Sequence, residues 1–238
     1  MMRLLKQDVQ FQFRHGFYYV YAFVTVVYIA ILLCIPSDYR SFWTVLIIFT
    51  DPGTLGFFFV GTIIMLERNQ QLLTYMFITP LKLSSYLLSK IISLTIIAWV
   101  TSLLIVMVTL GITNSILLLS LTIFLCSFFF TSCGMAISVD APSLNHFMFR
   151  SIVLLLVLCT PLLHYLNWVS FSIFEIMPSY SALILLQVSI EGQGIISGES
   201  LIHLSLLIIW SFVAFSIAFY RFQTYISVQT GESKEVSI

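Results

Sequence analysis

The sequence predicts an all-α polytopic membrane protein with six transmembrane helices. Two observations carry that prediction. Hydrophobic residues make up 60% of the 238 positions and charged residues 8%, whereas a soluble domain carries about 25% charged residues. One globular core cannot hide such an apolar excess, so the solvent for most of the chain is lipid. The apolar residues also fall in long runs, and a run of about 20 crosses a hydrocarbon layer about 30 Å thick.

The first run, FYYVYAFVTVVYIAILLCI at 17–35, is free of charge and ends at Pro36. It is too long for a signal-peptide core, and no small-residue cleavage site follows it. The second, SFWTVLIIFTDPGTLGFFFVGTIIML at 41–66, is interrupted by Asp51-Pro52-Gly53. Proline is tolerated in the first turn of a helix, and aspartate is a good N-cap. The second span is therefore predicted at 52–66, with 41–50 in the outer interface or as a bent extension.

Between Lys90 and Asp140 lie 49 residues without a charge. As one helix they would extend roughly 73 Å, enough for two crossings. Gly111-Ile112-Thr113-Asn114-Ser115 is the natural turn, giving spans at 84–110 and 116–138. The fifth and sixth spans are read at 150–167 and 201–220.

Outside these spans, residues 1–16 mix Leu4, Leu5, Val9, Phe11 and Phe13 with Arg3, Lys6, Asp8 and Arg14. That pattern fits either a helix lying in the inner interface or a simple topogenic flank. Residues 168–200 are too apolar for an open loop and too short for two spans. They are read as an outer hairpin of two short helices, 170–176 and 179–190, divided near Pro178 and followed by a Gly-rich turn at 192–198. The tail 221–238 is polar and is expected to fray at its end.

Six spans put both termini on one side. Arg3, Lys6, Arg14, Arg68, Lys82, Lys90, Arg150, Arg221 and Lys234 share that side, and Arg40 alone lies opposite. The positive-inside rule then places both termini in the cytoplasm of a bacterium's plasma membrane.

The net charge is zero, which offers nothing to a nucleic acid. Cys34, Cys126, Cys133 and Cys159 sit inside apolar runs without ligand spacing and read as small buried hydrophobes. The sequence contains no phosphate-binding glycine loop, no GxGxxG, no HExxH and no Ser-His-Asp order. His15, His146, His164 and His203 are scattered. The chain reads as a non-enzyme with no metal or cofactor of its own. Two acidic residues near the bilayer stand out, because charge is expensive there. Asp51 either caps the second span at the outer boundary or faces a pathway. Glu175 either forms part of an outer gate or reaches the interface.

The chain's polar island is ERNQQLLTYMFITPLKLSSYLLSK, residues 67–90. Leu72, Leu73, Met76 and Phe77 share one helical face, while Arg68, Gln71, Thr74 and Tyr75 fall largely elsewhere. Thr79-Pro80 reads as the N-cap and first-turn proline of the next helix. A Glu-Arg pair ending the second span, a short helix, then Thr-Pro-Leu and a Lys-bearing helix resemble the membrane subunit of type-2 ATP-binding-cassette exporters. With a weaker likeness at FTDPGTLGFFFVG (49–61) and the chain length, the resemblance points to the small multidrug or fluoroquinolone-type permeases. The frequent Gly and second Glu after the Glu-Arg pair are replaced here by Asn69, Gln70 and Gln71.

The resemblance implies that 67–83 is a coupling element docked on a separate ATPase. Glu67, Arg68, Gln71, Leu72, Leu73, Met76, Phe77, Thr79 and Pro80 would form its docking surface or hinge. It implies two ATPase subunits carrying ATP and Mg, and a second permease chain, identical or homologous. It further implies a path lined by spans 2 and 5, with Leu55, Phe57, Phe58, Phe59, Leu155, Leu158 and Pro161 as candidates beside Asp51 and Glu175. Apolar walls suit an amphipathic or hydrophobic cargo, whether drug, peptide or lipid-like. Two rivals are a haem-exporter-type membrane subunit and a non-transporting anchor or immunity component.

Overall fold

The computed structural model describes residues 2–70, 82–111, 115–192 and 198–230. The described residues form helices joined by short turns, without a strand, and six helices are long and apolar enough to cross a membrane. In chain order they are α1 (Met2–Arg14), α2 (Phe17–Cys34), α3 (Ser37–Asn69), α4 (Leu83–Thr109), α5 (Ile116–Ser138), α6 (Leu144–Cys159), α7 (Pro161–Tyr165), a 3₁₀ turn (Ser172–Ile176), α8 (Pro178–Glu191) and α9 (Gly198–Thr230). The up-and-down order brings α1, the start of α4, the α5–α6 turn and the end of α9 to one end of the bundle. We call that end the foot. The α2–α3 turn, α7, the 3₁₀ turn and α8 lie at the opposite end.

The second span departs from the sequence expectation. It does not begin at Pro52 but runs unbroken as α3 from Ser37 to Asn69, so Asp51 is no N-cap and lies in mid-helix. An internal proline removes one backbone donor and crowds the carbonyl four residues earlier, at a cost of about 3 kcal/mol in water. Packed neighbours and local adjustment offset that loss in membrane helices. A 33-residue helix is roughly 50 Å long, well beyond the hydrocarbon thickness. Both of its ends therefore lie past the bilayer core.

Two other boundaries shift. The fifth span begins earlier than 150, at Leu144, where the Ser143 side chain accepts from the backbone N–H of His146 at 3.3 Å. It is also broken before Pro161, which opens the separate α7. The sixth is longer at both ends than 201–220, since α9 continues through the first part of the expected tail to Thr230. The hairpin holds a 3₁₀ turn at Ser172–Ile176, then α8 entered through Pro178 in its first turn.

The core has two main clusters, one along the first two-thirds of α3 and one around its part nearer the foot. Val45, Ile48, Phe49 and Phe57 pack with Ile123, Phe130, Leu183 and Leu186 from α5 and α8. Val60, Ile63 and Ile64 pack with Tyr21, Leu87, Ile91 and Leu94 from α2 and α4. At Gly134 the backbones of α3 and α5 meet so closely that any Cβ would collide with the Phe57 carbonyl. Small residues allow this approach, and close packing replaces the missing hydrophobic drive between helices in lipid. Gly16, with φ of 83°, makes the corner from α1 into α2.

Candidate functional site

The residues flanking the polar island converge at the foot. Lys90, in the second turn of α4, has 1% of its surface exposed. Its Nζ donates to Asp8 Oδ1 of α1 at 2.9 Å and also to Glu67 Oε1 near the end of α3. The other oxygen of each carboxylate has its own donor. Tyr86 Oη donates to Glu67 Oε2 at 2.6 Å, and Ser89 Oγ donates to Asp8 Oδ2. The ammonium also lies 4.6 Å from the centre of the Tyr86 ring. One turn further along α4, Gln12 donates to Ser93 Oγ at 2.6 Å. Buried charges survive when paired and hydrogen-bonded, and every charge in this clamp is. It fastens α1 and α3 to α4.

Arg68 extends the clamp sideways. Its guanidinium donates to the carbonyls of Val139, at 3.4 Å, and Ala141, just past the C-terminus of α5. A cation there satisfies orphan carbonyls and opposes the helix dipole. Asp140 completes the foot by pairing with Arg150 of α6 at 3.4 Å and with Arg221 of α9 at 2.8 Å. These last pairs are half exposed, so each is worth no more than about 1 kcal/mol.

Glu67 and Arg68 thus turn their side chains onto the protein's own helices. Glu67 is buried. Of the other sequence-predicted coupling residues, Gln71, Leu72, Leu73, Met76, Phe77, Thr79 and Pro80 lie outside the described residues.

The predicted path residues do not share one surface. Leu55 and Phe59 face α2 and α4, with the Phe59 ring 4.9 Å from Phe17 and 5.3 Å from Tyr21 between centroids. Phe57 is 0% exposed against α5, so it lines no surface of this chain. Phe58 turns to Phe147 of α6, 6.5 Å between ring centroids. Leu155 is buried, Leu158 is half-buried in the same cluster, and Pro161 is buried where α7 begins. The physical reason is helical periodicity. Residues 55 and 57–59, spread over five consecutive positions, sweep around the helix and cannot all face one path.

Asp51 is 1% exposed, and neither carboxylate oxygen has a hydrogen-bond partner. Two contacts set the antiparallel register of α3 against α4. Glu67 meets Lys90 at the foot, and Arg40 donates to the Thr109 carbonyl at 3.4 Å near the other end. That register puts Ser102 level with Asp51. The Ser102 hydroxyl is also buried without a partner, as is the Tyr21 phenol on α2. Glu175 lies in the 3₁₀ turn, exposed, with Oε1 3.8 Å from His164 Nε2.

Asp8, Tyr86, Ser89 and Lys90 are missing from the sequence-predicted site. Their one visible signal was an isolated lysine opening a long charge-free run.

The profile of the fluoroquinolones export permease protein family matches residues 1–230. Two proteins named fluoroquinolones export permease protein, from two strains of Mycobacterium tuberculosis, are each 24% identical over 183 residues. The match covers 76% of this chain and 77% of each relative. No solved structure matches.

Proposed function

Because the chain belongs to the fluoroquinolones export permease protein family, we propose that it is the membrane subunit of an ATP-binding-cassette exporter. In this reading it moves an amphipathic or hydrophobic molecule outward. It contributes no ATP chemistry, and two separate ATPase subunits bind ATP and Mg. A second permease chain, identical or homologous, forms the other half of the path.

The observation that carries this reading is the clamp at the foot. Residues 71–81 connect α3 to α4, and three charged residues that flank that segment, Glu67, Arg68 and Lys90, are locked into the bundle. Force applied to the segment enters α3 through Glu67 and Arg68 and α4 through Lys90. From there it reaches α1 and α5, whose partners are Asp8 and the Val139 and Ala141 carbonyls. Loose flanks would dissipate such a push, whereas clamped flanks tilt four helices together. For ATP to shift the permease, the segment must contact the open and closed ATPase dimer differently.

The charge distribution supports a cytoplasmic foot. The described residues Arg3, Lys6, Arg14, Arg68, Lys82, Lys90, Arg150 and Arg221 lie on it, with Arg40 opposite. With the positive side inward, both termini and residues 71–81 are cytoplasmic, in the plasma membrane.

The test is co-expression with an ATP-binding-cassette ATPase encoded next to it, once one is identified, followed by purification and ATP hydrolysis. A complex whose hydrolysis is stimulated by cargo is expected. Met76→Asp should release the ATPase and leave the permease inserted. A chain that never co-purifies with an ATPase would favour the anchor reading instead.

A further inference from the structure

At the end remote from the foot, a pocket of about 380 Å³ opens between the start of α3, α7 and α8. A pocket of roughly 300–1,000 Å³ holds a drug-sized ligand. Its aromatic members come from three elements: Phe42 of α3, Tyr165 of α7 and Tyr180 of α8. The Phe42 and Tyr165 rings are within 8° of parallel, with centroids 6.4 Å apart. Tyr180 stands against His164, 5.1 Å between ring centroids.

The charge around this pocket has one sign. Gln187 lines it and donates to Glu191 Oε1 at 2.9 Å. His164 also lines it, and its Nδ1 donates to the Val169 carbonyl at 3.0 Å, since a carbonyl can only accept. Its Nε2 therefore faces Glu175. One exposed carboxylate, Glu191, is thus hydrogen-bonded to a lining residue, another, Glu175, lies 3.8 Å from a second, and no lysine or arginine lines the pocket. Arg40, two residues before Phe42, donates to the carbonyls of Leu32, Ile35 and Thr109, away toward α2 and α4. Among the described residues at this end, Asp38, Glu175, Glu191 and Glu199 stand against Arg40 alone. Burial, and then the Glu175 charge, hold the Tyr180 phenol above its ordinary pKa, so it stays neutral.

Aromatic walls attract a cation through the ring quadrupole, and carboxylates at the rim add Coulomb attraction. An anion would meet the same groups as repulsion. We propose that this pocket binds an organic cation, a quaternary ammonium or protonated amine on a compact apolar body, between the aromatic walls and the Glu175 and Glu191 carboxylates. Its use as a station for exported molecules rests on the export reading; the binding itself does not.

The test is calorimetric titration of the purified full-length chain in detergent, without ATPase. The probes are benzyltrimethylammonium, its neutral isostere neopentylbenzene, and benzoate. The cation should bind at least tenfold more tightly than either control. Glu175→Gln with Glu191→Gln, both at exposed positions, should weaken it at least tenfold with an unchanged melting temperature. Tyr180→Leu should weaken it as much. Phe13→Ala, on α1 at the foot, should leave it unaltered. Equal affinity for cation and isostere, or no response to the double carboxylate variant, overturns the site. Loss of the site with ATPase-driven export intact would leave the export reading standing, and the converse result would separate them the other way.

Discussion

Replacing Lys90 with methionine should unlock the foot. The side chain keeps its length and loses its charge. Asp8 and Glu67 would then face each other across a buried space, each with a single hydroxyl donor left, from Ser89 and Tyr86. Removing one partner of a buried charge network costs about 3–5 kcal/mol, because the remaining charge is uncompensated. For a chain of this size, 1 kcal/mol corresponds to roughly 2–4 °C in melting temperature. Lys90→Met should therefore melt about 6–20 °C lower than the native chain in the same detergent. The triple variant Asp8→Asn, Glu67→Gln, Lys90→Met removes all the charge together and should recover most of that loss, since neutral replacement of a whole buried network is often tolerated. Scanning fluorimetry of the three purified proteins is the assay. A Lys90→Met protein that melts within 2 °C of the native one, or a triple variant no better than the single, would refute the clamp. In a complex with the proposed ATPase, the triple variant should also hydrolyse ATP with weakened coupling to transport.

Other consequences follow from the packing. Gly134→Val should cost on the order of 1–3 kcal/mol, the usual range for overpacking, because its side chain meets the Phe57 backbone, which cannot step aside; native-like thermal stability would contradict that contact. Asp51→Asn should leave the melting temperature unchanged or raise it, since the carboxyl it replaces has no partner to lose. A drop equivalent to more than about 1 kcal/mol, the usual worth of a hydrogen bond, would mean that Asp51 is paired after all. Gly16→Val should destabilise by about 1–2 kcal/mol, because a β-branched residue resists positive φ; an unchanged urea midpoint would count against the corner.

The helical class and the approximate places of six spans were legible because lipid solvent demands long apolar runs, and the chain has them. Where α3 begins was not legible. Asp51-Pro52 carries a good start signal, but local propensity is a weak prior, and α3 is held through this point by α2, α4 and α5. Lys90 could be counted from sequence as a basic residue near a span. Its partners could not be named, because Asp8 lies 82 positions away and only the fold makes them neighbours. Glu67 and Arg68 stood out in the sequence as a charged pair ending the second span. Their direction was not legible, because a helix end has both an inward and an outward face. The remote pocket was invisible for the same reason as the clamp. Phe42, Tyr165, Tyr180 and Gln187 come from separated segments, each ordinary alone.

The account depends on mechanical work entering this chain from the cytoplasm through the segment between α3 and α4. A single cysteine at Thr74, in a chain whose native cysteines are replaced by serine, tests this with a membrane-impermeant maleimide. The account predicts no labelling in intact cells and full labelling once the membrane is opened. Labelling of Thr74→Cys from outside intact cells would contradict it.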